Sequence, residues 1–266
     1  MTETLVITDL DGSFWGRDLR CHPTTLDAVA ELDRRGVPLL VATGRREGSA
    51  KRGLAGNGLS RPAVLLNGAL GIDLPTDTRF HSHPFTEADA RAVVDSLAEI
   101  AISPIAYPDD GTVRGSPDAT TGPLHREGFG DDYRAEEPST TVASSSILSF
   151  GMIGMPRHEV EPAVAALADV AADVMLYEDH LHQAWSVHIQ PARISKWNGI
   201  QSYLDYAGLR PERIVAIGDG TNDLEMLANA DLSIAVAGGH VEVLDMADHV
   251  VDHPEHGGWR SVLDHL

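Results

Sequence analysis

Residues 5–12 read LVITDLDG, an apolar run that ends in two aspartates and a glycine. The run is typical of a buried strand, and residues two apart in an extended chain project to the same side. We therefore expect the carboxylates of Asp9 and Asp11 to point together into the crevice beyond the strand, where open α/β sheets bind ligands. Two acids this close repel each other unless a cation lies between them, and Gly12 permits a sharp turn there. The structural alternative is a polar turn that ends a buried strand.

A second acidic turn, GDGTND at residues 218–223, follows the apolar run at 214–217 and leads into a predicted helix. Asp219, Asn222 and Asp223 bring oxygen-bearing side chains to the end of a strand, and such hard ligands suit Mg²⁺. A calcium loop of the EF-hand type does not fit the first turn, because Gly12 comes at the fourth position instead of the sixth. A dinucleotide loop does not fit the second, because Asp223 replaces its third glycine. The structural alternative is that Asp223 caps the helix.

Two further segments carry the chemistry of phosphate binding. The predicted strand ending VATGR at residues 41–45 places a hydroxyl, backbone amides and a cation at the same edge, and this combination forms a phosphate cradle. Thr43 as a helix N-cap is the alternative. Lys196 stands at the start of a predicted helix, where its charge opposes the helix dipole, so this placement needs an electrostatic reason. The alternative for Lys196 is a solvated surface lysine.

The composition favours a folded protein that handles small molecules. In 266 residues, 40 acidic against 20 basic side chains give a net charge of −20, which disfavours nucleic-acid and membrane partners. The single cysteine, Cys21, allows neither an internal disulfide nor a cysteine-based zinc site. The first residues lack the layout of a signal peptide, and no apolar run is long enough to span a bilayer, so we expect a cytoplasmic protein.

Both ends of the chain alternate short apolar strands with amphipathic helices. This rhythm predicts an α/β fold with one doubly wound parallel sheet, formed by residues 1–80 and 191–266. Residues 81–190 differ in composition and are expected to form an inserted α+β domain. In this insert the pattern predicts helices at 87–101 and 159–172, strands at 147–153, 174–177 and 185–189, and a loop-rich stretch at 104–138.

Together the four segments resemble the motifs of the haloacid dehalogenase (HAD) superfamily of phosphatases. The closest likeness is to its Cof-type sugar-phosphatase branch, whose large α/β cap is inserted between the second and third motifs. The first motif, Asp-x-Asp-Gly-Thr, matches residues 9–13 with Ser13 in place of Thr, and the fourth, Gly-Asp-Gly-x-Asn-Asp, matches residues 218–223. Thr43 matches the second motif, and Lys196 with Gly199 matches the third. The segment NGA at residues 67–69 also resembles that branch.

The resemblance implies a role for each of these residues. Asp9 is the nucleophile that forms an aspartyl-phosphate, and Asp11 is the acid and base. Magnesium is held by Asp9, the Asp11 carbonyl and Asp219, with Asp223 or Asn222 in or just behind the coordination shell. The phosphate oxygens are held by Thr43, Lys196 and the amides around Gly12 and Gly44. The insert is implied to act as a lid. Polar candidates for its lining are Arg45, Asn67, Glu178, His180, His182 and Arg193, and the alternative for each is an ordinary surface residue.

The charge balance of the cleft favours the same cofactor. Four carboxylates would repel a phosphate dianion, and one lysine cannot offset that many charges at about 4 Å. A divalent cation is therefore required. Phe14 and Trp15 stand where the family commonly has a smaller aliphatic residue, which predicts a narrower pocket mouth.

The leading hypothesis is a Mg²⁺-dependent phosphatase acting on a small phosphomonoester, with a sugar phosphate as the expected substrate. Two alternatives stay open at this point. A phosphomutase or phosphotransferase on the same fold would pass the phosphoryl group to a hydroxyl instead of water. A protein that binds a phosphorylated metabolite without catalysis would keep the phosphate-binding residues alone.

Overall fold

The computed structural model describes residues 4–179 and 184–266, which fold as two compact units. The first, here called the core unit, runs up to His81 and resumes from Ser195 to Leu266. The second, the insert unit, spans Ser82–Ile194. None of the helices within the described residues is both long and apolar enough to cross a bilayer.

The described residues contain strands and helices in alternation at both ends of the chain. The strands are β1 (Thr4–Thr8), β2 (Leu39–Ala42), β3 (Pro62–Leu65), β4 (Leu70–Asp73), β5 (Thr78–Ser82), β6 (Ile105–Pro108), β7 (Val113–Gly115), β8 (Tyr133–Ala135), β9 (Ile147–Met155), β10 (Ala172–Asp179), β11 (Ala184–Pro191), β12 (Arg213–Gly218), β13 (Leu232–Val236) and β14 (His249–Val251). The α-helices are α1 (Pro23–Arg35), α2 (Glu47–Gly56), α3 (Glu87–Glu99), α4 (Pro123–Phe129), α5 (Pro138–Ser144), α6 (Arg157–Val160), α7 (Pro162–Ala166), α8 (Lys196–Ala207), α9 (Leu224–Ala228) and α10 (Val241–Met246). Short 3₁₀ helices lie at Leu66–Gly68, Gly130–Asp132, Thr221–Asp223, Pro254–His256 and Gly258–His265.

The core unit is built on an eight-stranded sheet in the order β14-β13-β12-β1-β2-β3-β4-β5. The six strands from β14 to β3 are parallel to their neighbours, and β4 runs antiparallel to β3. The predicted doubly wound parallel sheet is confirmed. Thr8 at the end of β1 pairs with Ile217 of β12 and Val41 of β2, so the carboxyl ends of these three central strands meet at one edge. The strands β4 and β5, which were not predicted, extend this sheet.

The core sheet is held between helices by apolar side chains on both of its faces. One buried cluster joins Leu5 and Ile7 of β1 with Leu40 of β2 and Ile200 of α8, all of them inaccessible to solvent. These near-continuous apolar strands are typical of parallel sheets covered on both faces. Helix α1 ends at Gly36, whose φ of 69° is the left-handed conformation that commonly stops a helix.

The insert unit contains a six-stranded sheet in the order β10-β11-β9-β6-β7-β8. Its paired strands are antiparallel apart from β7 and β8, which run parallel. A buried apolar cluster contains residues of the sheet and of the helices α3, α5, α6 and α7. An α+β insert was predicted, and the antiparallel sheet with helices agrees with that class.

Two predictions inside the insert unit are wrong. The segment predicted as one helix at 159–172 contains only the end of α6 and the short α7, and Ala172 already belongs to β10, where it pairs with Pro191. Partner-strand pairing overrides the helical periodicity there. The segment predicted as loop-rich at 104–138 contains the strands β6, β7 and β8 and the helix α4. These strands are only three or four residues long and join the sheet through β9, a pairing partner that no local pattern reveals.

Candidate active site

Three carboxylates from the predicted motifs come together at the carboxyl edge of the core sheet. Asp9 follows β1, and its backbone N–H donates to the Ile217 carbonyl at 2.9 Å. Asp219 and Asp223 lie in the turn after β12, and carboxylate oxygens of all three aspartates lie within 4.8 Å of one another. Asp9 and Asp223 are almost fully buried. This placement follows from the register, because β1 and β12 are adjacent and end together.

Lys196 is the cation of this cluster. Its Nζ donates to Asp9 Oδ1 and to Asp223 Oδ1, each at 2.6 Å, and its side chain has no solvent exposure. The alternative of a solvated surface lysine is therefore wrong. Ser195 caps α8 by accepting from the Asn198 amide, so Lys196 lies in the first turn of the helix. The electrostatic reason for a lysine against the helix dipole is this pair of buried carboxylates.

Gly199 lets α8 approach the sheet. A Cβ at this position would lie 2.4 Å from Val64 Cγ1 of β3, which is closer than real Cβ contacts allow. The glycine three residues after Lys196 therefore permits the close packing that brings the start of α8 to the edge of the sheet.

Asp223 holds the turn after β12. Its Oδ2 accepts from the backbone N–H groups of Asp219 and Gly220 at 3.1 and 3.0 Å, while its Oδ1 accepts from Lys196. Both oxygens of Asp223 thus already have strong donors. The structural alternative, in which Asp223 only caps the helix, is too narrow, since the same side chain fixes the turn and orients the buried ammonium.

Asp219 is positioned by the first motif. Ser13 Oγ donates to Asp219 Oδ1 at 2.7 Å, so serine in place of the usual threonine keeps the hydroxyl contact. Gly12 has a φ of 80°, and a Cβ there would lie 2.4 Å from Asp219 Oδ2. Both the left-handed backbone and the close approach of this carboxylate require glycine.

The cluster carries more negative charge than its lysine can balance. Burial raises the pKa of Asp9 well above its usual value, against the lowering effect of Lys196. Burial and the Asp223 charge raise the pKa of Asp219 to about 7. Burial opposes the charge on Lys196, but Asp223 and Asp9 outweigh it and raise the pKa of the ammonium. Three carboxylates against one ammonium leave an excess of two negative charges, which fits a divalent cation held by hard oxygen ligands.

The Asp11 carboxylate does not lie where the sequence predicted, which was beside the Asp9 carboxylate at a shared cation. Its carboxylate does not belong to the cluster of Asp9, Asp219 and Asp223. Instead it accepts from Arg45 at 2.6 Å and 2.7 Å, in a two-pronged ion pair, and from Trp15 Nε1 at 3.0 Å. The strand ends before Asp9, so the alternation of an extended chain no longer governs the direction of the Asp11 side chain.

The prediction that Phe14 and Trp15 narrow a pocket mouth is wrong. Both side chains are fully buried in the core unit. Phe14 lies edge-on to Trp259, with ring centroids 5.0 Å apart, and a Cβ at Gly53 would lie 2.7 Å from the ring of Trp15. The two aromatic residues therefore pack in the interior of the core unit, next to the turn of the first motif.

The remaining predicted residues form a connected set of turns. Thr43 is buried, and its Oγ1 accepts from the Arg45 N–H at 3.2 Å. The N-cap of α2 is Arg46, so the alternative of Thr43 as a helix N-cap is wrong. Asn67 N donates to the Thr43 carbonyl at 3.1 Å, and Asn222 Nδ2 donates to Asn67 Oδ1 at 2.9 Å. Gly44 lies against the same amide, because a Cβ there would be 3.0 Å from Asn67 Oδ1.

Asn67 occupies an unusual backbone conformation. Its φ of 52° and ψ of 29° are left-handed, and the neighbours Leu66 and Gly68 also have positive φ. Asparagine tolerates this region better than most residues, and such strain is often found at functional sites. The turn brings the Asn67 amide to Asn222, which links the turn after β3 to the turn after β12.

Sequence reasoning missed two contacts that support Asp9 and Asp11. The Thr8 hydroxyl donates to the Asp9 carbonyl at 2.7 Å and accepts from Trp259 Nε1 at 2.9 Å. Trp15 donates to Asp11, as described above. For Thr8 and Trp15 the only signal available was their position next to the motif, and Trp259, 251 residues from Thr8, carried no such signal. Among the proposed lining residues, Glu178 and Arg193 lie in the insert unit, whereas His180 and His182 lie outside the described residues.

The site combines buried carboxylates, a buried lysine and a half-exposed carboxylate with a cationic partner, an arrangement typical of an enzyme active site. The chain belongs to the haloacid dehalogenase-like hydrolase family, whose model matches residues 6–263. The resemblance drawn from the four motifs is thereby confirmed, and the protein is a hydrolase.

Relatives that match nearly the whole chain are phosphatases. The sequence is 26% identical over 266 residues to a phosphoglycolate phosphatase of Methanopyrus kandleri, covering 99% of this chain and 97% of the relative. It is 28% identical over 267 residues to the 5-amino-6-(5-phospho-D-ribitylamino)uracil phosphatase of Bacillus subtilis, covering 97% and 96%. The solved structure of a HAD subclass IIB sugar phosphatase superposes with a TM-score of 0.77 at 15% identity, covering 98% of both chains. At that identity the superposition shows the shared fold.

Proposed function

We propose that this hydrolase is a Mg²⁺-dependent phosphatase that acts on a small phosphorylated metabolite, with a sugar phosphate as the expected class, through an aspartyl-phosphate intermediate. The observation that carries the proposal is the buried carboxylate of Asp9, which Lys196 holds at 2.6 Å beside Asp219 and Asp223. The phosphatases named above act on different compounds, as their names state, so they support the reaction more strongly than any one substrate.

Asp9 is the nucleophile in this proposal. One carboxylate oxygen forms a bond to phosphorus while the bond from phosphorus to the alcohol oxygen breaks, which divides one difficult displacement into two. Lys196 binds Asp9 Oδ1 and fixes the orientation of the carboxylate. Water then attacks the phosphorus, the bond to Asp9 breaks, and inorganic phosphate leaves.

Asp11 moves the proton in both steps. It gives a proton to the leaving alcohol and takes one from the attacking water, a contribution of roughly 10²- to 10⁴-fold. Its carboxylate is 47% exposed and lies outside the buried cluster, so it can reach a substrate oxygen without first leaving a metal. One of the two Arg45 hydrogen bonds to Asp11 must break before Asp11 can carry that proton.

The residues present fit the proposed cation. Asp9, Asp219 and the Asp11 carbonyl are proposed to hold Mg²⁺, with Asp223 or Asn222 in or just behind the coordination shell. Because both Asp223 oxygens already accept from other donors, we place Asp223 behind the shell, where it orients Lys196 and the turn. When bound, the ion neutralises the clustered carboxylates and the phosphate charge, so that the anionic nucleophile and the anionic substrate can meet.

The phosphate oxygens are proposed to be held by groups at the ends of β1 and β2 and by Lys196. These groups are the Thr43 hydroxyl, Arg45 and the backbone amides around Gly12 and Gly44. Fixed donors of this kind stabilise the charge that builds up as the phosphoryl group transfers. Asn67 and Asn222, joined by a hydrogen bond of 2.9 Å, complete the proposed phosphate-binding set.

The proposal is tested by measuring phosphate release from a panel of phosphorylated sugars and other small phosphomonoesters, with and without Mg²⁺. We expect release only with the cation, and loss of turnover in Asp9→Asn. Asp205→Asn is the matched control, because Asp205 pairs with Arg210 on the exposed end of α8 and should leave turnover unchanged. Mass spectrometry of acid-quenched protein should find phosphate on residue 9. Phosphate transferred between hydroxyls would instead favour a phosphomutase, and full turnover in Asp9→Asn would refute the mechanism.

A further inference from the structure

We propose that Trp15 is a positioning residue for Asp11. Its buried indole N–H holds the Asp11 carboxylate at the edge of the site, outside the cluster formed by Asp9, Asp219 and Asp223. This inference rests on the proposed function, in which Asp11 passes a proton to the leaving group. It assigns a role to a residue that belongs to none of the four motifs.

The contacts of Asp11 show which groups hold it. Oδ1 accepts from Trp15 Nε1 at 3.0 Å and from Arg45 Nη2 at 2.7 Å, and Oδ2 accepts from Arg45 Nε at 2.6 Å. The guanidinium carbon of Arg45 also lies 5.4 Å from the centroid of a Trp15 ring, within the range of a cation–π contact. Trp15 therefore contacts both members of the ion pair.

Trp15 is the fixed member of this group. Its side chain is fully buried, and its ring packs so tightly that a Cβ on Gly53 could not be accommodated. Backbone hydrogen bonds also fix the turn that carries Trp15. Trp15 N donates to the Leu10 carbonyl at 3.0 Å, and Gly12 N donates to the Trp15 carbonyl at 3.2 Å. The donor therefore has a fixed position, whereas the Asp11 side chain is half exposed.

Trp15 gives Asp11 a second hydrogen-bond donor besides Arg45, and this donor matters when substrate binds. Arg45 is partly exposed and is proposed to bind the phosphate, so a phosphate anion competes with Asp11 for the guanidinium. The indole N–H is buried and cannot be taken by the substrate in the same way. When Arg45 turns towards the phosphate, Trp15 remains bonded to Asp11 and still orients it.

The position outside the cluster also matters chemically. The carboxylates of Asp9, Asp219 and Asp223 come within 4.8 Å of one another, and that of Asp11 is not among them. A carboxylate that moved into the cluster would become a metal ligand and could no longer carry a proton. Holding Asp11 at the rim keeps its oxygens available for the leaving group.

The test exploits the dependence on the leaving group. Trp15→Phe keeps an aromatic ring but removes the N–H donor. An alkyl phosphomonoester needs a proton on its leaving alcohol, whereas p-nitrophenyl phosphate has a leaving group that departs without one. We expect kcat/KM of Trp15→Phe to fall about tenfold or more for the alkyl ester and less than about threefold for the aryl ester, since general acid catalysis contributes roughly 10²- to 10⁴-fold. The ratio of the two values is the readout.

Trp259→Phe is the matched control. It also removes a buried indole donor from the core unit, but that donor binds Thr8 instead of Asp11. We expect the control to keep the wild-type ratio of the two kcat/KM values, even where both values fall. An equal loss for both esters in Trp15→Phe, or the same change of ratio in Trp259→Phe, would overturn the inference.

A second measurement uses the intact tryptophan. In a ¹H–¹⁵N spectrum of the wild-type protein, the indole N–H signal of Trp15 should lie downfield and shift upfield in Asp11→Ala, because it loses a carboxylate acceptor. The signal of Trp259 should stay in place. An unchanged Trp15 signal would overturn the inference even if Trp15→Phe failed to fold. If the wild-type protein released phosphate from no member of the panel described above, the proposed function would fail, while the spectrum would still test whether Trp15 holds Asp11.

Discussion

Lys196 Nζ lies 2.6 Å from both Asp9 Oδ1 and Asp223 Oδ1, and all three side chains are almost or fully inaccessible to solvent. A buried ion pair is weak evidence for stability, but removing one member leaves uncompensated buried charge. Here one ammonium serves two carboxylates. The lysine therefore links the start of α8 to the turns after β1 and β12 and fixes the proposed nucleophile.

We predict that Lys196→Met reduces kcat by at least about 100-fold, because it removes the cation that orients Asp9 and binds the proposed phosphate. It should also lower the free energy of unfolding by about 3 kcal/mol in metal-free protein, as expected for a broken buried ion pair. Steady-state kinetics and urea unfolding measure the two effects.

The chain offers a matched control for this prediction, since its only other lysine is Lys51. Lys51 pairs with Glu47 and Asp77 on the surface, with 38% of its side chain exposed. Lys51→Met should change stability by less than about 1 kcal/mol and leave turnover intact. Equal effects in the two variants would show that Lys196 has no special role in the site.

The parallel sheet and the carboxylate cluster could be predicted because their signals are local. An apolar strand followed by acidic residues, as in LVITDLDG, defines both the strand and the side chains at its end. Once the strands are parallel neighbours, Asp9 and Asp219 must lie at the same edge. Lys196 was identified by its unfavourable place at the start of a helix, which indicated an electrostatic partner for its charge.

The direction of Asp11 and the structure of the insert unit could not be predicted in the same way. Asp11 lies in an irregular turn, and its side chain follows Arg45 and Trp15, which are contacts of tertiary structure. The insert strands β6, β7 and β8 are too short to show a periodicity; β8 pairs with β7, β7 with β6, and β6 with β9, a distant segment of the chain. Ala172 lies in a stretch with helical composition but pairs with a strand. Strand pairing decided the structure of the insert segments, and side-chain contacts decided the direction of Asp11.

Gly12→Ala should disable the site through Asp219. The added Cβ would meet Asp219 Oδ2 at 2.4 Å, and the φ of 80° adds the strain of a left-handed alanine, about 1–2 kcal/mol. We expect weaker Mg²⁺ binding, measured by calorimetry, together with loss of turnover. Gly36→Ala is the control, because Gly36 has a φ of 69° but nothing within 4 Å of the added Cβ. It should lose stability yet bind Mg²⁺ as the wild type does. If Gly12→Ala bound the cation equally well, Asp219 would not be a ligand.

The raised pKa values of Asp9 and Asp219 predict how Mg²⁺ stabilises the protein at different pH. In metal-free protein the pKa of Asp219 is about 7, against about 4 in the unfolded chain, so its contribution is lost as pH rises through this window. Mg²⁺ competes with protons for the same carboxylates and should bind better at high pH. We expect the gain in Tm on adding Mg²⁺ to be larger at pH 8 than at pH 5.5, measured by calorimetric unfolding. Asp219→Asn should show a smaller difference, and an equal gain at both pH values would contradict the proposed ligands.

His188 should make the insert unit sensitive to acid. It lies on β11 with Ser149 Oγ 3.1 Å from its Nε2, and burial lowers its pKa to about 4. In the unfolded chain the value is about 6.5, so the neutral ring contributes stability above that pH, and the contribution is lost as pH falls towards 4. The full contribution to the free energy of unfolding is about 3 kcal/mol.

Hydrogen exchange of the β9 and β11 amides should accelerate at pH 4.5, after correction for intrinsic rates. His188→Gln should lack most of this acceleration, whereas His158→Gln, at an exposed position, should keep it. Acid sensitivity that persisted in His188→Gln would assign the effect to other groups.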